Sequence, residues 1–172
     1  MIQHSYSGEQ AQNIKIIIAE MVKQGVTNEY AQVGILSVIG KESGFIPQCE
    51  KSYSGTSNAR LRAIFGRRLS KYTDEQLTHL KRDDIAFFDA IYGIGTKDYF
   101  KWQTGNTEKG DGWKYRGRGF NQITFKNSYK LYSKIAGVDL VANPDRLNDV
   151  EIAARLAVYF MLEPLKKRSV NI

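Results

Sequence analysis

The sequence predicts a mainly helical protein of the α+β kind. Three observations carry that expectation. Apolar residues recur every three to four positions through several separate stretches. Most of those stretches open on a residue suited to capping a helix and close on glycine or proline. One short segment, Phe120 to Phe125, instead alternates apolar and polar residues, which suggests a partly buried extended piece able to supply a small sheet or hairpin. At 172 residues the chain is expected to form a single domain, 1–172, with a core of its own.

Residues 8–24 read as a first amphipathic helix, with Ala11, Ile14, Ile17, Ile18 and Met21 at helical spacing and Gly25 as its stop. Residues 29–42 read as a second, capped by Asn28 and carrying an apolar stripe of Ala31, Ile35, Val38 and Ile39. Gly44 and Pro47 break it. Residues 57–71 fit a basic amphipathic helix, with Arg60, Arg62, Arg67, Arg68 and Lys71 around Leu61, Ile64, Phe65 and Leu69. Such a face is either solvated or attracts an anionic polymer. Thr73, with Gln76 three later, forms a capping box for a short helix to about Leu80. Asp83 or Asp84 caps the next helix, whose buried side is Ile85, Phe87, Phe88 and Ile91 and whose end is Gly93 and Gly95. Tyr92, Tyr99, Phe100 and Trp102 then make an aromatic-rich connection, mostly core, with one or two rings available to stack on sugars.

Residues 103–114 form a Gly-rich loop that lacks the strand and helix context of a phosphate-binding loop. Its Glu108 and Asp111 read as loop-structuring or rim residues, with Glu108 a lesser candidate for catalysis. Residues 128–136 form a short helix, and Asn143-Pro144 breaks the chain. Asp149 caps a last helix with Val150, Ala153, Ala154, Ala157, Phe160 and Met161 on its core face. Pro164 is expected to end that helix and to leave Lys166-Lys167-Arg168 as a solvated tail.

Composition narrows the function. A hydrophobic content of 42% and 25% charged residues are ordinary for a soluble globular protein. No apolar run is long enough to cross a bilayer, so no stable membrane insertion is expected. The start, Met1-Ile2-Gln3-His4-Ser5, has no basic-then-apolar export pattern, which points to synthesis in a cytoplasm and assisted release. Cys49 alone gives neither an internal disulfide nor a metal cluster. Two isolated histidines, His4 and His79, fit neither a metal site nor a His-based triad. No metal and no cofactor are expected. The net charge of +7 implies an anionic partner, whether nucleic acid, membrane surface or cell wall. No base-reading motif is recognisable, so nucleic acid is not the expected one.

The stretch Tyr115 to Phe125 mixes the cations Arg116 and Arg118, the hydrogen-bonders Asn121, Gln122 and Thr124, and the aromatic surfaces Tyr115, Phe120 and Phe125. Such a mixture suits a sugar; it equally suits a Gly-kinked loop whose arginines bind carboxylates structurally. Glu42 lies three after Ile39 and four after Val38, so it continues the apolar stripe at the last turn of the second helix. Partial desolvation there would favour the neutral carboxyl that a glycosidase general acid needs. The alternative is a glutamate that turns to solvent at the helix end. Glu50, eight residues later, could face Glu42 across a groove, or simply neutralise Lys51 or an arginine.

The run Gly110-Asp-Gly-Trp-Lys-Tyr-Arg-Gly-Arg-Gly-Phe-Asn-Gln-Ile-Thr-Phe-Lys-Asn-Ser-Tyr129 looks like the signature of family 19 glycoside hydrolases. These are the plant-type chitinases and the phage and bacterial endolysins similar to them. Glu42-Ser43-Gly44 resembles the segment carrying the family's acid, and Val141-Ala142-Asn143-Pro144-Asp145 with its following helix resembles the C-terminal half. The resemblance runs from about Ala31 to Phe160. It implies a lysozyme-like superfamily fold, helices around a cleft between the Glu42 helix end and the Gly117–Thr124 segment, and an inverting mechanism. It makes Glu42 the general acid, and Glu50, just before Tyr53-Ser54, the base or the stabiliser of oxocarbenium-like charge. It assigns Thr124 to the attacking water, Gln122 to the sugar or the same water, and Arg118 to orienting a carboxylate. Tyr53 and Ser128 are further substrate contacts. Three positions depart from the pattern. Lys41 stands where many relatives have His, Phe45 where a second Gly is common, and Ser128 where Asn is often found.

The same motif serves chitin and peptidoglycan. Single-domain size, the lack of a Cys-rich chitin-binding module and a basic surface favour peptidoglycan glycan strands. The expectation is a monomeric endolysin-type muramidase that cuts the β-1,4 bond between N-acetylmuramic acid and N-acetylglucosamine, in the periplasm, after release or delivery. A chitinase and a non-catalytic wall-glycan-binding module are the alternatives. A nucleic-acid-binding protein, suggested by charge alone, ranks below both.

Overall fold

The structure is a computed structural model that describes residues 5–94 and 103–169, with side chains through residue 164. The described residues are mainly helical, with one two-stranded sheet. In order they form α1 (Gly8–Lys23), α2 (Glu29–Ser43), β1 (Gln48–Cys49), α3 (Asn58–Phe65) with a 3-10 turn (Gly66–Leu69), α4 (Asp74–Leu80) and α5 (Asp84–Tyr92). Then come α6 (Asp111–Lys114), β2 (Arg118–Gly119), α7 (Lys126–Ala136), a 3-10 turn (Pro144–Asn148) and α8 (Val150–Ser169). The chain divides into two compact units. One is Met1–Cys49, Arg118–Gln122 and Tyr132–Ile172; the other is Glu50–Gly117 and Ile123–Leu131.

The first unit is built on α1 packed against α8. Ile17, Met21, Val26, Ile39, Phe45 and Phe120 meet Ala153, Ala154, Ala157 and Val158 in its core. The run of alanines on α8 lets the two helices approach closely. Ser7 and Gln10 form a capping box at the start of α1, and Asn28 accepts the Ala31 N–H at the start of α2. Two polar residues on the inward face of α1 are satisfied rather than excluded. Asn13 Nδ2 donates to the Phe45 carbonyl at 2.8 Å. Glu20, 7% exposed, accepts from Gln24 at 3.1 Å and lies 3.8 Å from Arg155. The sheet pairs β1 and β2 antiparallel, Gln48 opposite Gly119 and Cys49 opposite Arg118. It joins segments far apart in sequence, so it is a small sheet and not a hairpin.

The second unit is built on aromatic packing. Leu61, Phe65, Leu69, Leu77, Phe87, Phe88 and Ile91 are its core, with Tyr53, Tyr72, Tyr92 and Trp113 against them. Thr73 and Gln76 form the expected capping box, and Asp83 caps α5 through the Ala86 N–H. Asp89 on α5 accepts from the Gly110 N–H at 2.7 Å and the Gly112 N–H at 3.0 Å, which ties the start of α6 to α5. The approach is close enough that a Cβ on Gly112 would lie 2.4 Å from the Phe88 carbonyl oxygen.

Other elements depart from the sequence reading. The helix expected over 57–71 stops at Phe65, because Gly66 (φ 48°) turns the backbone out of the helix. Arg62 is not on a solvated face; it donates to Asp74 and to the carbonyls of Leu69 and Tyr72. Ala11 and Ala31 are exposed, as are Ile85 and Phe160, 42% and 47%; helical spacing marked them as apolar but not which side the core would close. α8 runs through Pro164. A proline there costs one backbone hydrogen bond, and with Pro164 and Phe160 both exposed, water can serve the freed carbonyl. The segment from Phe120 is a turn rather than an extended piece, with Gln122 (φ 49°) and Phe125 (φ 80°) both left-handed. Met1 to His4, Gly95, Tyr99, Phe100 and Trp102 lie outside the described residues, as do the side chains of Lys166, Lys167 and Arg168.

Gly112→Ala is expected to lower the free energy of unfolding by about 1–3 kcal/mol, because the new methyl meets a backbone carbonyl that cannot move aside. Gly34→Ala, in a helix with open space around it, should stabilise by about 0.5–1 kcal/mol. Chemical denaturation of both variants measures the contrast, and equal effects would contradict the close α5–α6 approach.

Candidate active site

Glu50 is the most elaborately held carboxyl among the candidates. It follows β1 and is half-buried in the second unit. Its own N–H donates to the Gly117 carbonyl at 2.8 Å, and the Gly117 N–H donates back to Oε2 at 3.1 Å. Tyr53 and Tyr92 donate their hydroxyls to Oε1 at 2.9 and 3.1 Å. Arg116 Nε donates to the Glu50 carbonyl at 3.0 Å, and its guanidinium stacks 3.6 Å over Trp113. The donors come from three segments: the loop after β1, the end of α5 and the Arg-Gly motif.

Both phenols are themselves fixed. Tyr53 packs on Phe65, Phe87 and Phe88 with ring centroids 5.2–5.8 Å apart. Tyr92 packs on Phe65, Phe88 and Phe125 at 5.4–6.1 Å, and the Arg68 guanidinium lies 5.5 Å over its ring. Burial pushes the Tyr53 hydroxyl well above its ordinary range, and the negative charge and hydrogen bond of Glu50 push it further. Burial and Glu50 do the same to Tyr92, against a smaller opposing pull from Arg68. Both hydroxyls therefore keep their protons and remain donors to Glu50 through the physiological range.

Thr124 and Ser128 are half-buried in the same unit as Glu50. Thr124 sits between buried Ile123 and left-handed Phe125, whose N–H is anchored on the Tyr115 carbonyl at 2.8 Å. Asp111 is a loop-structuring residue: 5% exposed, it accepts the N–H groups of Thr107 and Glu108 at 3.0 Å each. It also takes Lys126 Nζ at 3.3 Å. Burial opposes the charge on Lys126, but the Asp111 hydrogen bond and charge outweigh it and hold the ammonium above its ordinary value. Glu108, with its side chain 77% exposed and 3.8 Å from Lys126, is a rim residue.

Glu42, Arg118 and Gln122 belong to the first unit. Glu42 is at the last turn of α2 and is exposed, which corrects the desolvation expected from its spacing. Ile39 and Ser43 turn into the core, while Glu42 shares the side of Val38, itself 42% exposed. Arg118 is 2% exposed, and the carboxylate it holds at 2.9 Å is that of Asp145 in the 3-10 turn before α8. Gln122 is exposed and donates to the carbonyls of Gln48 at 3.0 Å and Gly119 at 3.3 Å, bracing both strands. Beside it, the amide nitrogen and oxygen of Asn121 are buried with no hydrogen-bond partner among the described residues. A groove of about 580 Å³ in this unit, lined by Tyr6, Ile14, Val33, Leu36 and Phe45, lies on the side of α2 turned away from Glu42 and contains none of the candidate carboxyls.

The structure thus joins Tyr53 to Glu50 directly and casts it as the residue that aims the carboxyl. Sequence reasoning missed Tyr92 in that role. Its one signal was a tyrosine at the end of a capped apolar helix, which spacing alone cannot distinguish from core packing.

No family model matches the chain. A curated relative from Haemophilus influenzae, named a glycosyl hydrolase family 19 domain-containing protein, is 30% identical over 150 residues, covering 84% of this chain and 67% of the relative.

The phenol cluster makes a pH-dependent expectation. A phenol whose folded pKa is raised contributes stability that is present below its unfolded value near 10 and is lost as pH climbs from there toward the folded value. Removing the charge with Glu50→Gln should bring both phenols down toward the ordinary value and make the alkaline loss shallower. NMR titration of ring-labelled tyrosines, alongside melting between neutral pH and about pH 11, checks both; unchanged phenol titration would mean that Glu50 does not face them.

Proposed function

The chain belongs to glycoside hydrolase family 19, and from that premise we propose that it is a peptidoglycan hydrolase. It cleaves the β-1,4 bond between N-acetylmuramic acid and N-acetylglucosamine by an inverting acid/base mechanism. The observation that carries this reading is the Glu50 carboxyl, aimed by two phenols and the Gly117 amide. A carboxyl surrounded by donors that keep their protons at neutral pH stays an oriented acceptor, which is what a base for water, or a stabiliser of oxocarbenium-like charge, requires. Glu42 is the general acid that passes its proton to the leaving oxygen. Because Glu42 is exposed, it is the glycan that covers it when substrate binds. Water, held by the Thr124 hydroxyl, loses a proton to Glu50 and adds to the anomeric carbon opposite the departing sugar, so the configuration inverts. Gln122 braces both strands, Arg118 holds the Asp145 carboxylate, and Ser128 is a substrate contact.

Peptidoglycan rather than chitin is favoured by charge: +7 on the chain attracts an anionic wall polymer and gains nothing from a neutral one. Such a substrate puts the enzyme's action at the bacterial cell wall, as a lytic enzyme of the endolysin type.

Purified Gram-negative peptidoglycan incubated with the native chain should release reducing ends, and mass analysis should find N-acetylmuramic acid at the new terminus. Glu42→Gln and Glu50→Gln should each lower the rate by about 10²–10⁴-fold. Cleavage of chitin oligomers but not of peptidoglycan would overturn the substrate, and full activity in Glu42→Gln would overturn the acid assignment. Wall binding with no cleavage by the native chain would replace the enzyme by a binding module.

A further inference from the structure

Glu50 is held at its main chain as well as at its carboxyl. Its N–H donates to the Gly117 carbonyl at 2.8 Å, and the Gly117 N–H returns to Oε2 at 3.1 Å. A further anchor comes from the residue just before Gly117: Arg116 Nε donates to the Glu50 carbonyl at 3.0 Å. This anchor belongs to a side chain, so a substitution can remove it and leave the Glu50–Gly117 pair in place. Arg116 is itself fixed. Its Nη1 donates to the Trp113 carbonyl at 2.7 Å, and its guanidinium carbon lies 3.6 Å over the Trp113 ring. Trp113 packs edge-on against Phe88, with ring centroids 5.0 Å apart, and Phe88 also packs on Tyr53 and Tyr92. The Arg116 carbonyl accepts the hydroxyl of buried Tyr129 at 2.7 Å. All of these residues belong to the second unit. The guanidinium therefore ties the Glu50 main chain to the same rings that hold the phenols reaching its carboxyl.

We infer that Arg116 is a positioning residue that sets where the Glu50 carboxyl points. The inference deepens the reading above and rests on it for its catalytic consequence. Tyr53, Tyr92 and the Gly117 N–H hold the carboxyl end of Glu50, and Arg116 holds the carbonyl end. A side chain gripped at both ends has one direction, whereas one gripped only at its tip can follow a shift of its own backbone. Arginine suits this task. Its planar fork presents Nε and Nη1 in a fixed relation, so one group reaches two carbonyls while its face lies on an indole. A lysine ammonium conserves the charge but is a compact head without that plane. The two phenols report on the carboxyl, because after burial the charge of Glu50 is the largest influence that raises each of them.

The test compares the full native chain with Arg116→Lys, which conserves the charge, and Arg116→Gln. Melting temperatures verify that each variant folds. Reducing-end release from peptidoglycan gives kcat and KM. NMR of ring-labelled tyrosines gives the Tyr53 and Tyr92 signals, with Glu50→Gln marking where they stand once the carboxylate is gone. A reacting group misplaced by about 1 Å costs about 10²-fold, so kcat should fall by about that factor in Arg116→Gln and by less in Arg116→Lys, with KM nearly unchanged. In both variants the two phenol signals should move toward their Glu50→Gln positions. An unchanged kcat, a loss confined to KM, or phenol signals that stay at their native positions would overturn the inference and leave Arg116 as a support for the fold. If Arg116→Gln does not fold, Arg116→Lys decides by the same two readouts. If the native chain cleaves nothing, the proposed hydrolysis fails, and the phenol signals decide this inference separately. In that case movement toward the Glu50→Gln positions sustains the positioning of Glu50 by Arg116, and native positions overturn it.

Discussion

A carboxyl placed among aromatic rings must be surrounded by donors, or the burial costs more than the fold can recover. That requirement organises the second unit. Glu50 is reached by Tyr53, Tyr92 and the Gly117 N–H, and each donor needs its own support. Phe65, Phe87 and Phe88 hold the two phenols. α5 must end where it does for Tyr92 to reach Glu50. Gly112 must lack a side chain for α6 to close on α5 ahead of the Arg-Gly motif. One polar group thus fixes the packing of a largely apolar cluster. In return the cluster holds that group through three donors.

The turn that follows β2 breaks local rules. Gln122 and Phe125 take left-handed backbone conformations without being glycine. Asn121 buries an amide with no hydrogen-bond partner among the described residues. Each such feature costs on the order of 1–3 kcal/mol. The neighbouring contacts hold the turn in place despite this: Gln122 braces both strands, and the Phe125 N–H is tied to Tyr115. Violations concentrated in one short segment, while the helices around it are regularly capped, are the pattern expected where sequence serves a site rather than stability.

The helices were legible because their signals are local. Asn28, the Thr73–Gln76 box and Asp83 cap where the residue types say they should, since a cap depends only on three or four consecutive residues. What depended on tertiary neighbours was not legible. Spacing placed Glu42 on an apolar stripe, but α2 is buried on the Ile39–Ser43 side and the stripe lies partly in solvent. The alternation from Phe120 to Phe125 looked extended, yet a period of two over so few residues cannot distinguish a strand from a compact turn. Glu50 was legible as a candidate by resemblance, whereas the tyrosine from α5 that aims it became visible only when the chain was folded back.

The pairing of α1 with α8 has a consequence for biosynthesis. The core of the first unit draws on the N-terminal helices, on Phe120 in the middle and on the alanine face of the last helix. At translation rates of about 5–20 residues per second, α1 leaves the ribosome on the order of ten seconds before the surface that covers it exists. Through that interval Ile17, Met21 and Ile39 have no native cover, and a nascent-chain chaperone has reason to hold them. The helix that carries Glu42 is consolidated only once α8 has been made, so translation interrupted before that point yields chains without a finished first unit. For the first unit, completion of α8 is itself a control point.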